Sequence, residues 1–255
     1  MRSGDISTRL DAVAARLSEA NRVLFITGAG ISADSGLPTY RGVGGLYDGE
    51  KTIEGLHIEE VLSGDVFAVR PDLTWKYLLQ IADSCHDARP NAAHKAIAEL
   101  ESRCERVTVF TQNVDGLHRQ AGSTDLIEIH GNLQEIVCTG CDYEQDADSL
   151  SRSEIPPRCP DCGSVLRPRV VLFGEALPEA EMDRFLEAFE EGFDMVFSIG
   201  TSSIFPYIVQ PVVYAAGRGI PTVEINPAVT QLSSLVDIHL PLGAAEAMQG
   251  IMARL

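Results

Sequence analysis

The sequence predicts an α/β fold whose parallel sheet is interrupted by an inserted small domain. A β-branched apolar run at 23–27 passes directly into Gly28-Ala29-Gly30, and a strand that turns through glycines into a helix is typical of nucleotide-binding sheets. Further short apolar runs alternate with helical patterns along the chain, which favours βαβ units. Two Cys-x-x-Cys pairs lie within this alternation. We therefore predict a Rossmann-like domain with an inserted helical module and a zinc ribbon-like module.

Three separate ranges carry the strand patterns of the Rossmann-like domain, residues 1–41, 91–133 and 173–255. Residues 42–90 have few strand signals, and their apolar residues recur at helical spacing, so we predict a helical insertion there. Residues 134–172 contain the paired cysteines and form the predicted zinc-binding module. The first range begins with an amphipathic helical pattern whose apolar face consists of Leu10, Val13, Ala14 and Leu17.

The composition is that of an ordinary globular protein with an acidic surface. The chain has 255 residues, of which 45% are apolar and 22% charged, and its net charge is −17. No basic face of the kind that nucleic acids require is visible, so we expect no nucleic-acid partner. No apolar run reaches the roughly 18 residues of a membrane span, and no secretion signal is recognisable at the N-terminus. We therefore expect no membrane partner and a cytoplasmic location, while the oligomeric state stays open and a monomer is compatible with the sequence.

The glycine loop that follows the first strand predicts an anion site, although a tight turn can have the same Gly-x-Gly spacing. Ile31-Ser32-Ala33 can begin a helix, and Ala33 replaces the last glycine of the usual Gly-x-Gly-x-x-Gly fingerprint. No acidic strand end follows about 20 residues later to hold the adenine ribose. Instead, the chain continues into a polar and aromatic loop at 38–42. These features argue against an ordinary hydride-transfer dehydrogenase and indicate an additional loop over the nucleotide.

Polar residues follow two further predicted strands. The strand at 107–111 ends in Gln112-Asn113-Val114-Asp115, and the strand at 126–129 ends in His130-Gly131. Ligands of open α/β sheets bind at the carboxyl ends of strands. Asn and Asp also form turns, and a lone histidine at a strand end is more often structural. Because histidine exchanges a proton near neutral pH, His130 is nevertheless our candidate for the general base.

Four cysteines have the spacing of a zinc site. Cys138, Cys141, Cys159 and Cys162 follow the pattern Cys-x2-Cys-x17-Cys-x2-Cys, which lies within the range of zinc-binding motifs. Four sulfur ligands complete a tetrahedron and leave no open position, so the zinc is predicted to be structural. A redox role is the alternative for one Cys-x-x-Cys pair, but two pairs at this spacing argue against it. Free thiols of this kind also indicate a reducing compartment.

Taken together, these motifs resemble those of the sirtuin family, the NAD-dependent protein-lysine deacylases. The matching segments are GAGISADSG at 28–36, PTYRG at 38–42, QNVDGLH at 112–118, EIHGN at 128–132, the paired cysteines, FGE at 173–175 and GTS at 200–202. The resemblance covers about residues 18–255. It implies a Rossmann-like sheet that binds NAD, one structural zinc ion per chain, and an acylated lysine of a protein or peptide as substrate.

The same resemblance implies roles for individual residues. Catalysis would depend on His130 and Asn113. The residues implied to bind NAD are Gly28, Ala29, Gly30, Ser32, Ala33, Tyr40, Arg41, Gln112, Asn113, Asp115, Gly200, Thr201, Ser202 and Asn226. The residues implied to bind the substrate are Val171, Phe173, Gly174 and Glu175, along which the peptide would add as a β-strand.

The sequence departs from the family pattern in three places. Tyr40 stands where phenylalanine is common, and residues 204–206 replace a usual valine region, which predicts a local repacking. Gln80 occupies the place of an arginine that some sirtuins use to bind acidic acyl groups. A buried succinyl carboxylate would therefore lack its bidentate partner. We accordingly expect acetyl and other uncharged acyl groups as substrates.

The resemblance also implies a reaction. The acyl oxygen of the modified lysine would attack C1′ of the nicotinamide ribose, and His130 would deprotonate a ribose hydroxyl, so that nicotinamide and O-acyl-ADP-ribose are released. Two alternatives stay open. The same scaffold could transfer ADP-ribose to a protein, or the chain could be a non-catalytic NAD-sensing module.

Overall fold

The computed structural model describes residues 5–38, 51–152 and 154–255. The strands within these ranges are β1 (Arg22–Thr27), β2 (Arg106–Thr111), β3 (Asp125–Glu128), β4 (Gly131–Cys138), β5 (Glu144–Asp146), β6 (Leu166–Val170), β7 (Met195–Ile199), β8 (Thr222–Ile225) and β9 (Ile238–Leu240). Six of them form a parallel sheet in the order β3-β2-β1-β7-β8-β9. The other three form an antiparallel sheet in the order β5-β4-β6. The predicted α/β class is therefore confirmed.

The α-helices of the same ranges are α1 (Ile6–Leu17), α2 (Ile58–Val61), α3 (Gly64–Val69), α4 (Pro71–His86), α5 (Ala92–Leu100), α6 (Leu117–Ala121), α7 (Glu179–Glu191), α8 (Pro206–Gly217) and α9 (Ala244–Met252). Short 3₁₀-helices cover Ala29–Ser35 and Ala147–Ser149. Among the residues that the structure describes, no helix combines the length and the apolar character needed to cross a membrane.

Strand β1 lies at the centre of the main sheet and is covered on both faces. Val23 and Phe25 belong to the core that α1, α5 and α9 form on one face, whereas Leu24 and Ile26 pack with α7 and α8 on the other. Burial on both faces explains why this strand is a continuous apolar run and not an alternating one. The predicted N-terminal amphipathic helix is α1, and its four predicted apolar residues are all buried.

The order of the strands creates a crevice beside β1. After the helical insertion the chain forms β2 on one side of β1. After the antiparallel sheet it forms β7 on the other side of β1. Loops that leave neighbouring strands in opposite directions open a crevice at the carboxyl edge of the sheet. Thr27 is in register with Thr111 of β2 and with Ile199 of β7. The loops that begin at 28, 112 and 200 therefore start side by side.

The helical segment and the antiparallel sheet share one core. Trp75 of α4 is 2% exposed, and its indole N–H donates a hydrogen bond to the carbonyl of Leu166 in β6 at 2.8 Å. Leu78 of α4 and Ile136 of β4 belong to the same buried cluster. The helical spacing predicted for residues 42–90 is confirmed by α2 and α4 within the described residues. The shared core joins both inserted modules into one small packing unit.

Candidate active site

A cavity of about 850 Å³ lies at the carboxyl edge of the main sheet. Its wall comes from the segments that follow β1, β2, β3, β7 and β8, together with the segment after β6. A second compartment of about 180 Å³ adjoins it, because Ala29, Asn113 and Val114 line both. The position is the one expected for a ligand of an open α/β sheet.

The structure brings most of the predicted site residues to these two compartments. Those that line the larger cavity are Gly28, Ala29, Gly30, Ala33, Gln112, Asn113, His130, Val171, Phe173, Gly174, Glu175, Gly200, Thr201, Ser202 and Asn226. Ser32 and Asp115 line the smaller compartment, on the far side of Asn113. Tyr40 and Arg41, which were predicted to contact NAD, lie outside the described residues.

The two glycine loops at the sheet edge pack backbone against backbone. Gly30 N–H donates to the carbonyl of Gly200 at 2.8 Å, and Gly28 N–H donates to that of Ile199 at 3.0 Å. A Cβ atom on Gly30 would lie 2.6 Å from Cα of Gly200, which is too close for any side chain. The segment after Gly28 is a 3₁₀-helix and not the predicted start of an α-helix, because Ile31 N–H bonds back to the carbonyl of Gly28. These glycines therefore serve loop packing as well as ligand access.

A buried polar cluster separates the two compartments. The side-chain amide of Asn113 donates to the carbonyl of Gly28 at 3.2 Å and to Ser32 Oγ at 3.3 Å. Ser32 in turn donates to Asp115 Oδ2 at 2.7 Å, and Leu117 N–H donates to Asp115 Oδ1 at 2.9 Å. Asn113 Oδ1 is buried and has no hydrogen-bond partner within the described part of the chain. Because an unpaired buried acceptor is costly, this oxygen is suited to receive a donor group from a ligand.

Two buried histidines, His94 and His118, lie beside this cluster. The rings of His94 and His118 lie 4.8 Å apart, and His118 Nε2 lies 3.0 Å from Thr27 Oγ1. Burial lowers the pKa of His94 to about 4 and holds the pKa of His118 well below its usual value. Both rings are therefore neutral at physiological pH. The motif QNVDGLH includes His118, but the sequence assigns neither histidine a role, because only the folded chain places His94 beside Ser32 and His118 beside Thr27.

His130 has both ring nitrogens engaged. Nδ1 lies 3.0 Å from the carbonyl oxygen of Gln112, and Nε2 lies 2.8 Å from the hydroxyl of Tyr207. A carbonyl oxygen only accepts hydrogen bonds, so the network assigns the ring hydrogen to Nδ1 and leaves the lone pair on Nε2. Burial lowers the pKa of His130, and the bond to Gln112 partly offsets that shift. A neutral imidazole with its basic nitrogen in the cavity is the state that a general base requires.

Tyr207 is the site residue that the sequence did not predict. It lines the cavity from the first turn of α8, and its ring stacks on that of Phe205 with centroids 5.5 Å apart. The departure from the family pattern at 204–206 was the available signal, but it predicted only a repacking. The contact with His130 depends on how α8 meets the end of β3, and local sequence patterns do not contain that information.

The segment after β6 lies along one wall of the cavity and is held in place by Glu175. The carboxylate of Glu175 accepts two hydrogen bonds from Arg167, at 2.6 and 2.9 Å, and one from Leu172 N–H at 2.8 Å. Burial acts to raise the pKa of Glu175, but Arg167 and the Leu172 amide outweigh it and lower the pKa overall. The backbone of Phe173 pairs with Leu62 and Gly64 of the helical segment. Glu175 thus stabilises the turn of the segment from within.

The four predicted metal ligands lie together. The sulfur atoms of Cys138, Cys141, Cys159 and Cys162 are all within 4.8 Å of one another. Gly140 N–H donates to Cys138 Sγ at 3.2 Å, as is typical of a turn that presents a thiolate to a metal. Four converging sulfur atoms fit a tetrahedral zinc ion, and they leave no position for substrate. The site is therefore suited to a structural zinc.

The parallel sheet, its switch point beside β1 and the paired glycine loops define a nucleotide-binding α/β protein with a cysteine-based metal module. A sequence model of the Sir2 family matches residues 28–206. The chain belongs to the Sir2 family, so the resemblance to sirtuins is confirmed.

Relatives match the chain over almost its whole length. NAD-dependent protein deacylase 2 of Pseudomonas aeruginosa is 48% identical over 254 residues, which cover 98% of this chain and 99% of that protein. NAD-dependent protein deacylase 2 of Pseudomonas syringae is 48% identical over 246 residues, which cover 95% of this chain and 98% of that one. A Sir2 homolog–NAD complex superposes with a TM-score of 0.85 at 33% identity and covers 96% of this chain and 93% of its own. A Sir2 complex with a p53 peptide and NAD⁺ superposes with a TM-score of 0.83 at 27% identity, covering 95% and 96%.

Proposed function

We propose that the protein removes acetyl or other uncharged acyl groups from protein lysines in an NAD-dependent reaction that releases nicotinamide and O-acyl-ADP-ribose. The observation that carries this proposal is the neutral His130, whose basic Nε2 faces a cavity shared with the glycine loops. Similarity to proteins named NAD-dependent protein deacylases at 48% identity supports the same reaction.

The residues proposed to hold NAD are those predicted from the sequence. The glycine loops would receive the phosphates, since residues without side chains let a phosphate approach the backbone closely. Asn113 and Asp115 would bind the nicotinamide end, where the unpaired Oδ1 of Asn113 accepts a donor. Asn226, whose amide donates to the carbonyl of Thr201 at 2.9 Å, would hold the adenosine end. Bound NAD supplies an electrophilic ribose carbon and nicotinamide as its leaving group.

The roles of the protein groups follow from their positions. His130 would accept a proton from a ribose hydroxyl at Nε2, and Asn113 would orient the ribose beside it. The segment at 171–175 would bind the backbone of the substrate peptide. We also propose the domain bounds predicted from the sequence. The Rossmann-like domain would consist of residues 1–41, 91–133 and 173–255, the helical insertion of residues 42–90, and the zinc-binding module of residues 134–172.

The lining of the cavities favours uncharged acyl groups. The wall beside the helical segment is apolar, with Leu62, Leu78 and Leu133. Within the described ranges, no lysine or arginine lines either compartment, and Gln80 lines the smaller one. The amide of Gln80 carries no positive charge and cannot form a bidentate ion pair with an acidic acyl chain.

The metal module supports a structural role for zinc and a reducing location. Four thiols that must stay reduced to bind zinc are more compatible with the cytoplasm than with an oxidising compartment. We therefore propose a cytoplasmic protein with one zinc ion per chain.

Mass spectrometry of the reaction products tests the proposed activity. An acetyl-lysine peptide incubated with the protein and NAD is expected to lose its acetyl group while O-acetyl-ADP-ribose appears, and neither change is expected without NAD. An intact peptide beside a protein that gains ADP-ribose would favour the transferase alternative. No reaction with acetyl or longer acyl peptides, despite NAD binding, would favour a sensing module.

A further inference from the structure

The hydroxyl of Tyr207 lies where a substrate of His130 would have to bind. Tyr207 is the second residue of α8, and its Oη atom lies 2.8 Å from Nε2 of His130. The two rings meet nearly edge to face, with centroids 6.1 Å apart and an interplanar angle of 80°. Phe205 packs against both rings. This packing holds the phenol in line with the imidazole nitrogen.

The direction of the hydrogen bond follows from the other side of the ring. Because Nδ1 donates to the carbonyl of Gln112, Nε2 must accept, and the Tyr207 hydroxyl must donate. Burial raises the pKa of Tyr207 to about 12, so the phenol keeps its proton at neutral pH. Among the residues that the structure describes, the groups in contact with the His130 ring are the Gln112 backbone at the end of β2, and Phe205 and Tyr207 from the start of α8. Tyr207 is the titratable one.

We propose that Tyr207 is a positioning residue that occupies Nε2 of His130 in the free enzyme and is replaced there by a ribose hydroxyl when NAD binds. Neutral imidazole has one in-plane lone pair, so Nε2 accepts one strong hydrogen bond at a time. The base is thus held in the correct tautomer and orientation before the cofactor arrives. This inference rests on the proposed function only for the identity of the group that replaces the phenol.

Removal of the phenol hydroxyl should change the basicity of His130 in a defined direction. The hydroxyl donates to the neutral Nε2, but it can rotate to accept from a protonated Nε2–H, and this charge-assisted bond is the stronger of the two. Its loss therefore favours the neutral ring and lowers the pKa of His130, by about half a pH unit to one unit for the difference between the two bonds. Once NAD has displaced the phenol, the hydroxyl no longer touches Nε2, and the substitution should have no effect on the pKa of the complex.

Imidazole titration by ¹⁵N NMR tests the proposal on the complete protein. The signal of His130 is assigned by its loss in His130→Ala, and it is titrated in the unsubstituted protein, in Tyr207→Phe and in Tyr214→Phe. Tyr214 is a matched control because it lies on the same helix but is 44% exposed and packs against Arg218. We expect the pKa of His130 to fall in Tyr207→Phe alone, and we expect equal values in all three proteins when NAD is saturating.

The same variants give a kinetic readout. The acidic limb of kcat/KM for NAD reports the free enzyme and that of kcat reports the complex, so only the former should move to lower pH in Tyr207→Phe. Relative to its own plateau, kcat/KM of Tyr207→Phe should persist at acidic pH where that of the unsubstituted protein falls, which a general structural defect would not produce.

Each outcome decides the proposal. An unchanged or raised pKa of His130 in free Tyr207→Phe overturns it, and an equal shift in the NAD complex overturns the replacement step. If Tyr207→Phe does not fold, the unsubstituted protein still decides, because the ¹⁵N shifts must report an Nδ1–H tautomer and an Nε2–H tautomer contradicts the proposal. The titration needs no turnover, so a failure of the proposed deacylase activity would be seen separately.

Discussion

At the residue scale, the carboxylate of Glu175 occupies an internal position in the segment that was predicted to contact substrate. Its two oxygens are taken up by Arg167 and by the amide of Leu172, so the side chain has little capacity left for a peptide. The Arg167 side chain is only 16% exposed, and loss of the carboxylate would leave a partly buried guanidinium unpaired. We propose that Glu175 acts on substrate binding through the shape of the turn.

Glu175→Gln is expected to raise KM for the acyl peptide several-fold and to leave KM for NAD nearly unchanged. The amide can still accept from Leu172, but it cannot form the bidentate ion pair, so the free energy of unfolding should fall by about 1–2 kcal/mol. Steady-state kinetics and urea unfolding measure the two effects. Glu99→Gln is the control, since its pair with Arg103 is exposed and should contribute little. Equal losses of affinity for NAD and peptide would contradict the role of the turn.

The sequence could predict individual site residues where they follow a strand. His130, Gln112 and Asn113 were predicted in this way, and they line the cavity because the carboxyl ends of parallel strands point into the ligand crevice. Tyr207 could not be predicted in this way, because it does not follow a strand. It lies in the first turn of α8, and the position of that helix brings its hydroxyl to His130. The separation of Ser32 and Asp115 into a smaller compartment also depends on tertiary packing alone.

At the scale of elements, the zinc module and the helical segment are joined through Trp75. This indole, the single tryptophan of the chain, is buried against β6 and donates to the carbonyl of Leu166. Cys159 is buried in the same cluster. Loss of the metal should therefore disturb both modules and the cavity wall that they form with Leu78 and Leu133.

Removal of zinc by a strong chelator is expected to shift the emission of Trp75 to longer wavelength and to abolish deacylation. The main sheet should retain its helices and strands in far-UV circular dichroism, because its two cores do not include the cysteine module. Cys159→Ser should behave like the chelated protein. Cys104→Ser, which lies beside the main core, should keep one zinc per chain and normal emission. Unchanged Trp75 emission after verified loss of zinc would rule out this coupling.

Strands β1, β2 and β3 were predictable because their apolar or β-branched runs end in glycine or polar residues. They lie within one residue of the predicted ranges 23–27, 107–111 and 126–129. The segment after Gly28 differs from a regular α-helix. The N–H of Gly30 donates to the carbonyl of Gly200 in the neighbouring loop, and the N–H of Ile31 donates to the carbonyl of Gly28, three residues earlier, as in a 3₁₀-helix. Contacts between loops that are distant in sequence override a local helical tendency there.

At the scale of the whole molecule, one sheet edge gathers the residues proposed for cofactor binding and for proton transfer. The glycine loops and Asn226 follow β1, β7 and β8, whereas His130 follows β3 and the segment at 171–175 follows β6. The proposed base therefore lies on a different strand from the glycine loops, and Asn113, after β2, is the residue proposed to serve both functions. This separation allows a substitution to remove one function and to keep the other.

The most direct test of the account compares NAD affinity with turnover in His130→Ala, with the exposed His86→Ala as control. Loss of a general base is expected to lower turnover about 100-fold or more, while the dissociation constant for NAD stays within about threefold, a difference of well under 1.4 kcal/mol. His86→Ala should match the unsubstituted protein in both measurements. Turnover of His130→Ala at the unsubstituted rate, with folding and NAD binding intact, would contradict the assignment of His130 as the base.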